Sequence, residues 1–337
     1  MRRPRAVILV LAGLAAQAPA RADNFAPAAT GKAQGRLPML SNDDAWRRLP
    51  GAPPKVEPLP AWARMLAGPL PKTTALMLEL DAAHRTGDRL DPALRARMRW
   101  AAADANRSAY AMAAAEADLR RVGATSPVPT DLPEAERLAV AFARKLTADA
   151  TTVTDAEVKR LVELHGDAKV VAMVALVAHA CFQDRMLLAL NPPVEPGGPP
   201  APVAAHFPHE RSPAGPPPKP GAAAPVAAAA GPNHGPSDAE WRAKTFSDLQ
   251  AGLERQRDRP ARVRIPDWKE VEARIGPDAW VRRWPRVVWG LVCYAHQPEV
   301  TDLWFDVVDA FRQETKFDRF VAQDMFWVVT RVLDCFY

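Results

Sequence analysis

The sequence predicts an all-α protein, and three observations predict it. Helix-opening signals recur along the chain, apolar residues return at helical spacing, and no stretch shows strand alternation bounded by turns. About 315 residues follow the N-terminal segment described next, enough for two domains.

Residues 1–22 read as a secretory signal peptide. Met1-Arg2-Arg3-Pro4-Arg5 is basic, Ala6 to Ala16 is apolar, and Ala20-Arg21-Ala22 gives a small-x-small cleavage pattern before Asp23. The apolar run is short for a membrane span, and no later segment approaches one, so no stable span is expected; an uncleaved N-terminal anchor is the alternative. The chain's formal charge is +5. Arg2, Arg3, Arg5 and Arg21 would leave with the signal, which brings the mature chain to about +1. No concentrated basic stripe survives, so a nucleic-acid partner is set aside. The expected location is periplasmic or extracellular, after cleavage near Ala22.

Residues 23–58, rich in Pro, Gly, Ala and Asn, read as a flexible leader. Residues 59–191 turn helical. Asp91-Pro92 supplies an N-cap followed by proline at the first helical position, and a helical run from Ala93 to Arg121 ends at Gly123. Asp131 to Glu134 and Thr154 to Glu157 read as capping boxes. Ala168 to Leu190 lacks a polar face and is expected to be buried. Residues 192–236, with repeated prolines and the alanine run Ala227 to Ala230, read as a semi-rigid, solvated linker. The second domain, 237–337, opens with the capping box Ser237 to Glu240 and a helix to about Arg257. Further helices follow over Trp268 to Arg274, over Val287 to Gln313 with an interruption near Pro298, and from Asp318 onward.

Sliding the chain against itself by 227 positions lays Pro71–Tyr110 onto Pro298–Tyr337 without gaps. Nine pairs are identical, among them Pro71/Pro298, Thr74/Thr301, Ala83/Ala310, Arg85/Arg312, Asp91/Asp318, Trp100/Trp327 and Tyr110/Tyr337. The helix break, the N-cap Asp and a Trp expected to be buried recur in register. An internal repeat is the expectation.

The repeated pattern resembles the alkylhydroperoxidase D / carboxymuconolactone decarboxylase family. It is carried by the helix ending near Pro71, the steps Leu90-Asp91 and Phe317-Asp318, and the long helix after each. Later segments, Ala139 to Ala143, Val153 to Val158 and Phe182 to Arg185, look like the family's later helices. The resemblance implies an alkylhydroperoxidase-like helical bundle in one complete copy (59–191) and one partial copy (about 284–337), joined by the Pro/Ala-rich linker. In that family the long helix carries a C-x-x-C pair with a histidine four residues on. Sulfurs three residues apart share a helix face, and the lower-pKa thiol attacks peroxide or disulfide.

The first copy has lost every reactive position. Ser108 stands at the first cysteine, Ala111 at the second, Ala115 at the histidine and Ala96 at an upstream glutamate. A serine there acts only beside an activating base, and none is in view. In the second copy Cys335 takes the first cysteine position, while Gln323, with Asp324 beside it, takes the glutamate position and is the candidate proton relay. The sequence given stops at Tyr337, one residue before the second sulfur is due. Three readings of that stop stand side by side: a selenocysteine codon read as stop, a truncation or frameshift, and a true terminus. The redox reading expects an exported thiol (or selenol) peroxidase or disulfide oxidoreductase acting on a peroxide or disulfide with an unidentified electron donor. The competing reading is a non-catalytic secreted scaffold or binding protein. A decarboxylase, the family's other branch, is disfavoured because the first copy keeps no histidine in its motif. Family members assemble into homo-oligomers, so self-association is an expectation.

The remaining candidates carry plainer readings. Cys181, Cys293 and Cys335 are too few for a disulfide framework, and an odd number in an exported chain leaves at least one thiol free or paired outside it. Cys181 lies two residues from His179, so the two point apart along a helix. It reads as a buried structural cysteine, as does Cys293, and a disulfide between them is not deducible. His84, His296, His206 and His209 lack companion ligands, so no metal is expected, and no cofactor. Glu79, Asp81 and Asp88 read as a solvated helix face. Trp268, Trp280, Trp284, Trp289 and Trp304 suit packing or an interface.

Overall fold

The computed structural model describes residues 35–51, 57–213, 245, 247–248, 250–251, 254, 260–283, 288–315 and 318–332. Among these residues the regular structure is helical and no strand forms. The opening helix of the second domain, expected from Ser237, lies largely outside the described residues.

The first part of the chain comprises α1 (Asn42–Arg48), α2 (Ala61–Leu66), α3 (Pro71–Thr86), α4 (Pro92–Ala105), α5 (Ala109–Arg121), α6 (Glu134–Ala148) and α7 (Asp155–Leu190). Local signals fix several boundaries. Asp91 accepts from the backbone N–H groups of Ala93 and Leu94 at 2.9 and 3.1 Å, with Pro92 at the first helical position. Thr154 and Glu157 form the expected capping box that opens α7. The box expected at Asp131 does not form, and α6 opens after Pro133 without a side-chain cap. Gly166, at φ 75°, kinks α7 in a region that favours glycine.

The run expected from Ala93 to Arg121 is broken. Arg107 adopts φ 58°, Ser108 donates its N–H to the Ala103 carbonyl at 2.8 Å, and a new helix starts at Ala109. Alanine-rich sequence favours helix on both sides of the break; the turn is fixed from elsewhere. It lets α5 fold back on α4, and the Asn106 amide ties it to Asp184 of α7 at 2.8 Å. Below α4, the side chains of Leu94 and Met98 meet Phe142 of α6 and Leu161, Met173 and Leu176 of α7. Trp100, expected to be buried, is half-buried and donates to Glu116 at 3.1 Å.

The later part contains α8 (Trp268–Glu272), a 3-10 turn at Trp280–Arg283, α9 (Val288–His296), α10 (Pro298–Thr315) and α11 (Arg319–Val332). Val271, Trp280, Tyr294 and Phe305 form its own small core. Helix α10 packs along α3, where Trp304, Val307 and Ala310 join Leu76 and Leu80 in one cluster. Glu314 of α10 accepts from the N–H groups of Lys72 and Thr73, at 2.7 and 2.8 Å, on the first turn of α3. Those donors have no partner within their own helix, so this one carboxylate caps α3 and locks it to α10.

Two helix starts recur at one offset. α3 and α4 begin at Pro71 and Pro92, and α10 and α11 begin at Pro298 and Arg319, each 227 residues later. The details recur as well. Thr74 and Thr301 each donate a hydroxyl to the carbonyl four residues back, at 2.6 Å, and Asp318 caps α11 as Asp91 caps α4. The surroundings differ, since α4 is covered by α5, α6 and α7 whereas Phe320, Val321, Met325 and Val329 of α11 are exposed.

The described parts of the leader, expected to be flexible, and of the linker, expected to be solvated, are packed. Within the leader, Ser41 caps α1, and Trp46 is buried and donates to the Glu57 carbonyl at 2.7 Å. Within the linker, residues 192–213 form an extended strap over the helices. Val203 and Phe207 enter the core, Phe207 stacks on Trp46 at 6.3 Å, and Arg211 pairs with Asp306 through two hydrogen bonds of 2.6 and 2.9 Å. Proline removes backbone donors, but a few apolar and charged side chains suffice to dock an extended chain whose conformational freedom is already low.

Candidate functional site

The long charged residues of α3, α4 and α5 turn inward and meet. Arg85 of α3 donates to both oxygens of Asp118 on α5, at 2.8 and 2.7 Å, and to Asp81, one turn back, at 2.9 Å. Arg99 of α4 donates to Asp118 at 2.8 Å, and Gln183 of α7 donates to Asp81 at 2.9 Å. Four helices thus contribute to one cluster of two carboxylates, two guanidinium groups and an amide. Burial opposes ionisation of Asp81 and Asp118, but the two arginines outweigh it and hold both below the usual carboxylate range. Glu79, Asp81 and Asp88, expected to line a solvated face, therefore separate. Asp88 is exposed, Asp81 is buried in this cluster, and Glu79 holds the strap by accepting from His206 Nδ1 at 2.6 Å and the Phe207 N–H at 3.0 Å.

A cavity of about 10 Å³ lies against the cluster, lined by Trp62, Tyr110, Ala111 and Ala114, and by Pro199 and Pro200 of the strap. That is room for a single water. The strap's Glu195 accepts from Tyr110 at 2.8 Å and from the Ala61 N–H at 2.6 Å, while the carbonyls of Pro199 and Pro200 accept from Arg121 and Arg85 at 2.8 and 3.2 Å. The strap closes the cavity from outside.

Ser108, Ala111 and Ala115 are all buried. Ser108 opens α5 without a side-chain capping bond, and Ala111 faces the small cavity. No thiol or imidazole is among these three positions. Gln323 and Asp324 are exposed on α11. Cys335 lies outside the described residues.

The other two cysteines are free thiols, and Cys293, expected to be buried, is only half-buried. Cys181 is buried in α7, with Thr147 Oγ1 at 3.5 Å and the Asn106 amide at 3.8 Å. Burial pushes its thiol upward, and burial pushes Cys293 up to about 12. Neither is a ready nucleophile. His179 does not serve Cys181; it stacks on His84, ring centroids 4.3 Å apart, with its Nδ1 buried and unpartnered. Burial, followed by Arg99 and Arg85, brings His179 down to about 3, and burial with the neighbouring imidazole lowers His84 strongly. Asp184 is the opposite case. Burial raises it to about 7 against the pull of the Asn106 hydrogen bond and of Arg99.

No group of three or more His, Cys, Asp or Glu residues with metal-binding proximity occurs among the described residues. No described helix is long and apolar enough to cross a membrane. The sequence reading missed Arg85, Arg99, Asp118, Gln183, Asp184 and Glu195. The only local signal was the spacing of Asp81 and Arg85, four apart on α3. No protein-family model matches the chain, and neither a curated protein nor a solved structure is significantly similar to it.

Proposed function

We propose that this is an exported tandem protein of alkylhydroperoxidase-like architecture, whose first unit is a non-catalytic platform and whose thiol chemistry belongs to Cys335 in the second. The observation that carries the reading is the interior of the first unit. Ser108, Ala111 and Ala115 offer neither sulfur nor imidazole, the space before Ala111 admits one water, and a charged cluster and the strap fill the rest. The recurrence of the α3 and α4 starts at an offset of 227 residues supports the tandem arrangement, and the same offset in the sequence pairs Cys335 with Ser108. Cys181 and Cys293 are poor candidates, because burial keeps both protonated.

In this reading the Cys335 thiolate attacks the O–O bond of a hydroperoxide, releasing an alcohol and leaving a sulfenic acid. A second thiol condenses with it, losing water and forming a disulfide, which an external dithiol reduces. Hydroperoxide consumption by the full chain with dithiothreitol as donor tests the assignment. Cys335→Ser should abolish turnover and Cys181→Ser should leave it unchanged. Absence of turnover in the parent chain favours the scaffold reading for the second unit as well; the filled interior of the first unit bears on that unit alone. N-terminal sequencing of the secreted protein, expected to start at Asp23, tests export.

A further inference from the structure

We infer that the groove between the strap and the Trp280–Arg283 turn binds a zwitterionic ligand, an amino acid or short peptide, with its carboxylate on Arg283 and its ammonium group on Asp278. The groove encloses about 660 Å³, within the range of small-molecule sites. Its walls are already tied together. Arg211 donates to the Asp278 carbonyl at 2.7 Å, and Arg283 donates to the Ser212 carbonyl at 2.9 Å. Binding therefore requires little further ordering of the two walls.

Most charged groups on the lining are satisfied by one another. Glu79 is taken up by His206 and the Phe207 N–H; Asp306 by both arms of Arg211 and by the Trp280 indole N–H at 2.8 Å; Arg282 by Glu272 at 2.9 Å and the Gly276 carbonyl. His209 is spent on Asp309 at 3.2 Å. Two charges of opposite sign remain. Neither the Arg283 guanidinium nor the Asp278 carboxylate has an ionic partner among the described residues.

Arg283 is also held in place. Its guanidinium lies 3.9 Å from the centre of the Trp280 ring, so the planar fork keeps N–H groups for a carboxylate while its face is covered. Leu76, Leu303 and Pro213 supply apolar lining for the body of the ligand. A simple anion would answer Arg283 and be opposed by Asp278, and a simple cation the reverse; a ligand carrying both signs answers both.

Calorimetric titration of the full chain with the tripeptide Ala-Leu-Ala, its N-acetyl form and its C-terminal amide tests the assignment. The free tripeptide should bind with Kd on the order of 0.1–1 mM, and blocking either end should weaken binding about tenfold. Arg283→Gln should erase the difference between the tripeptide and its amide, and Asp278→Asn the difference between the tripeptide and its N-acetyl form. Circular dichroism should show both variants folded, since each changes an end group and no core contact. Absence of binding, equal binding of the three peptides, or discrimination untouched by the two substitutions overturns the inference.

Discussion

Arg85 holds Asp118 through two parallel hydrogen bonds, of 2.8 and 2.7 Å, in the interior between α3 and α5. The same carboxylate also serves Arg99 and, at the surface, Arg121 at 2.7 Å. Removing it leaves two buried guanidinium groups sharing Asp81 as their remaining carboxylate. Asp118→Ala should therefore cost about 3–5 kcal/mol, read by urea unfolding. Arg85→Lys keeps the charge but loses the fork, and should be clearly destabilising too. A pair of matched apolar replacements at 85 and 118 should cost less than Asp118→Ala alone. Equal stability of the parent and Asp118→Ala would sink the account.

The stacked pair His84 and His179 makes the fold acid-sensitive. Both have folded pKa values below the ordinary histidine value, His179 at about 3. The native state thus binds fewer protons than the unfolded state, so this stability is present above the ordinary value and is lost as pH falls from about 6.5 towards 3. His179→Phe keeps a ring against His84 and removes one titration. Unfolding measured at several pH values should give a shallower acid slope for this variant over that window.

Asp184 acts with the opposite sign. Its folded pKa is raised to about 7, so the native state holds a proton that the unfolded state has released. Stability falls as pH rises from about 4 to 7 and stays low above that. Asp184→Asn keeps an acceptor for the Asn106 amide and removes the ionisation. It should gain on the order of 2 kcal/mol over the parent at pH 8, and little at pH 4. A gain independent of pH would point to another cause.

The strap depends on Phe207. The ring is fully buried against Trp46, and its N–H is held by Glu79. Phe207→Ala should cost about 3–5 kcal/mol if the strap stays docked. If it detaches instead, the cost is smaller and limited proteolysis should cut within 199–213 much faster than in the parent. Unchanged stability together with unchanged proteolysis would show that the ring anchors nothing.

Part of this arrangement was written locally. Asp91-Pro92 and Thr154 with Glu157 each open a helix where the sequence places it, because a cap needs only neighbours within one turn, and the run from Val287 is interrupted near Pro298 as expected. The offset of 227 residues that relates two stretches of sequence also relates two helix starts, those of α3 with α10 and of α4 with α11. Other features were illegible for a common reason. Asp81 and Arg85 look like a surface pair at i,i+4 until α5 brings Asp118 and α7 brings Gln183 to bury them. The alanine-rich run through Ser108 holds only the weak stop and start residues Asn106 and Ser108, and its turn is tied by Asn106 to Asp184, 78 residues away.

The sequence by itself determined the helical class, the helix starts with local caps, and the absence of a thiol or imidazole at Ser108, Ala111 and Ala115. Tertiary structure alone decided which charged residues face inward, that residues 192–213 are packed, and which charges in the groove are left unmatched. Caps and helical periodicity depend on residues within a turn or two, so they survive in a linear reading. Burial and charge pairing depend on what distant segments bring to the same place, and that is set only when the helices pack.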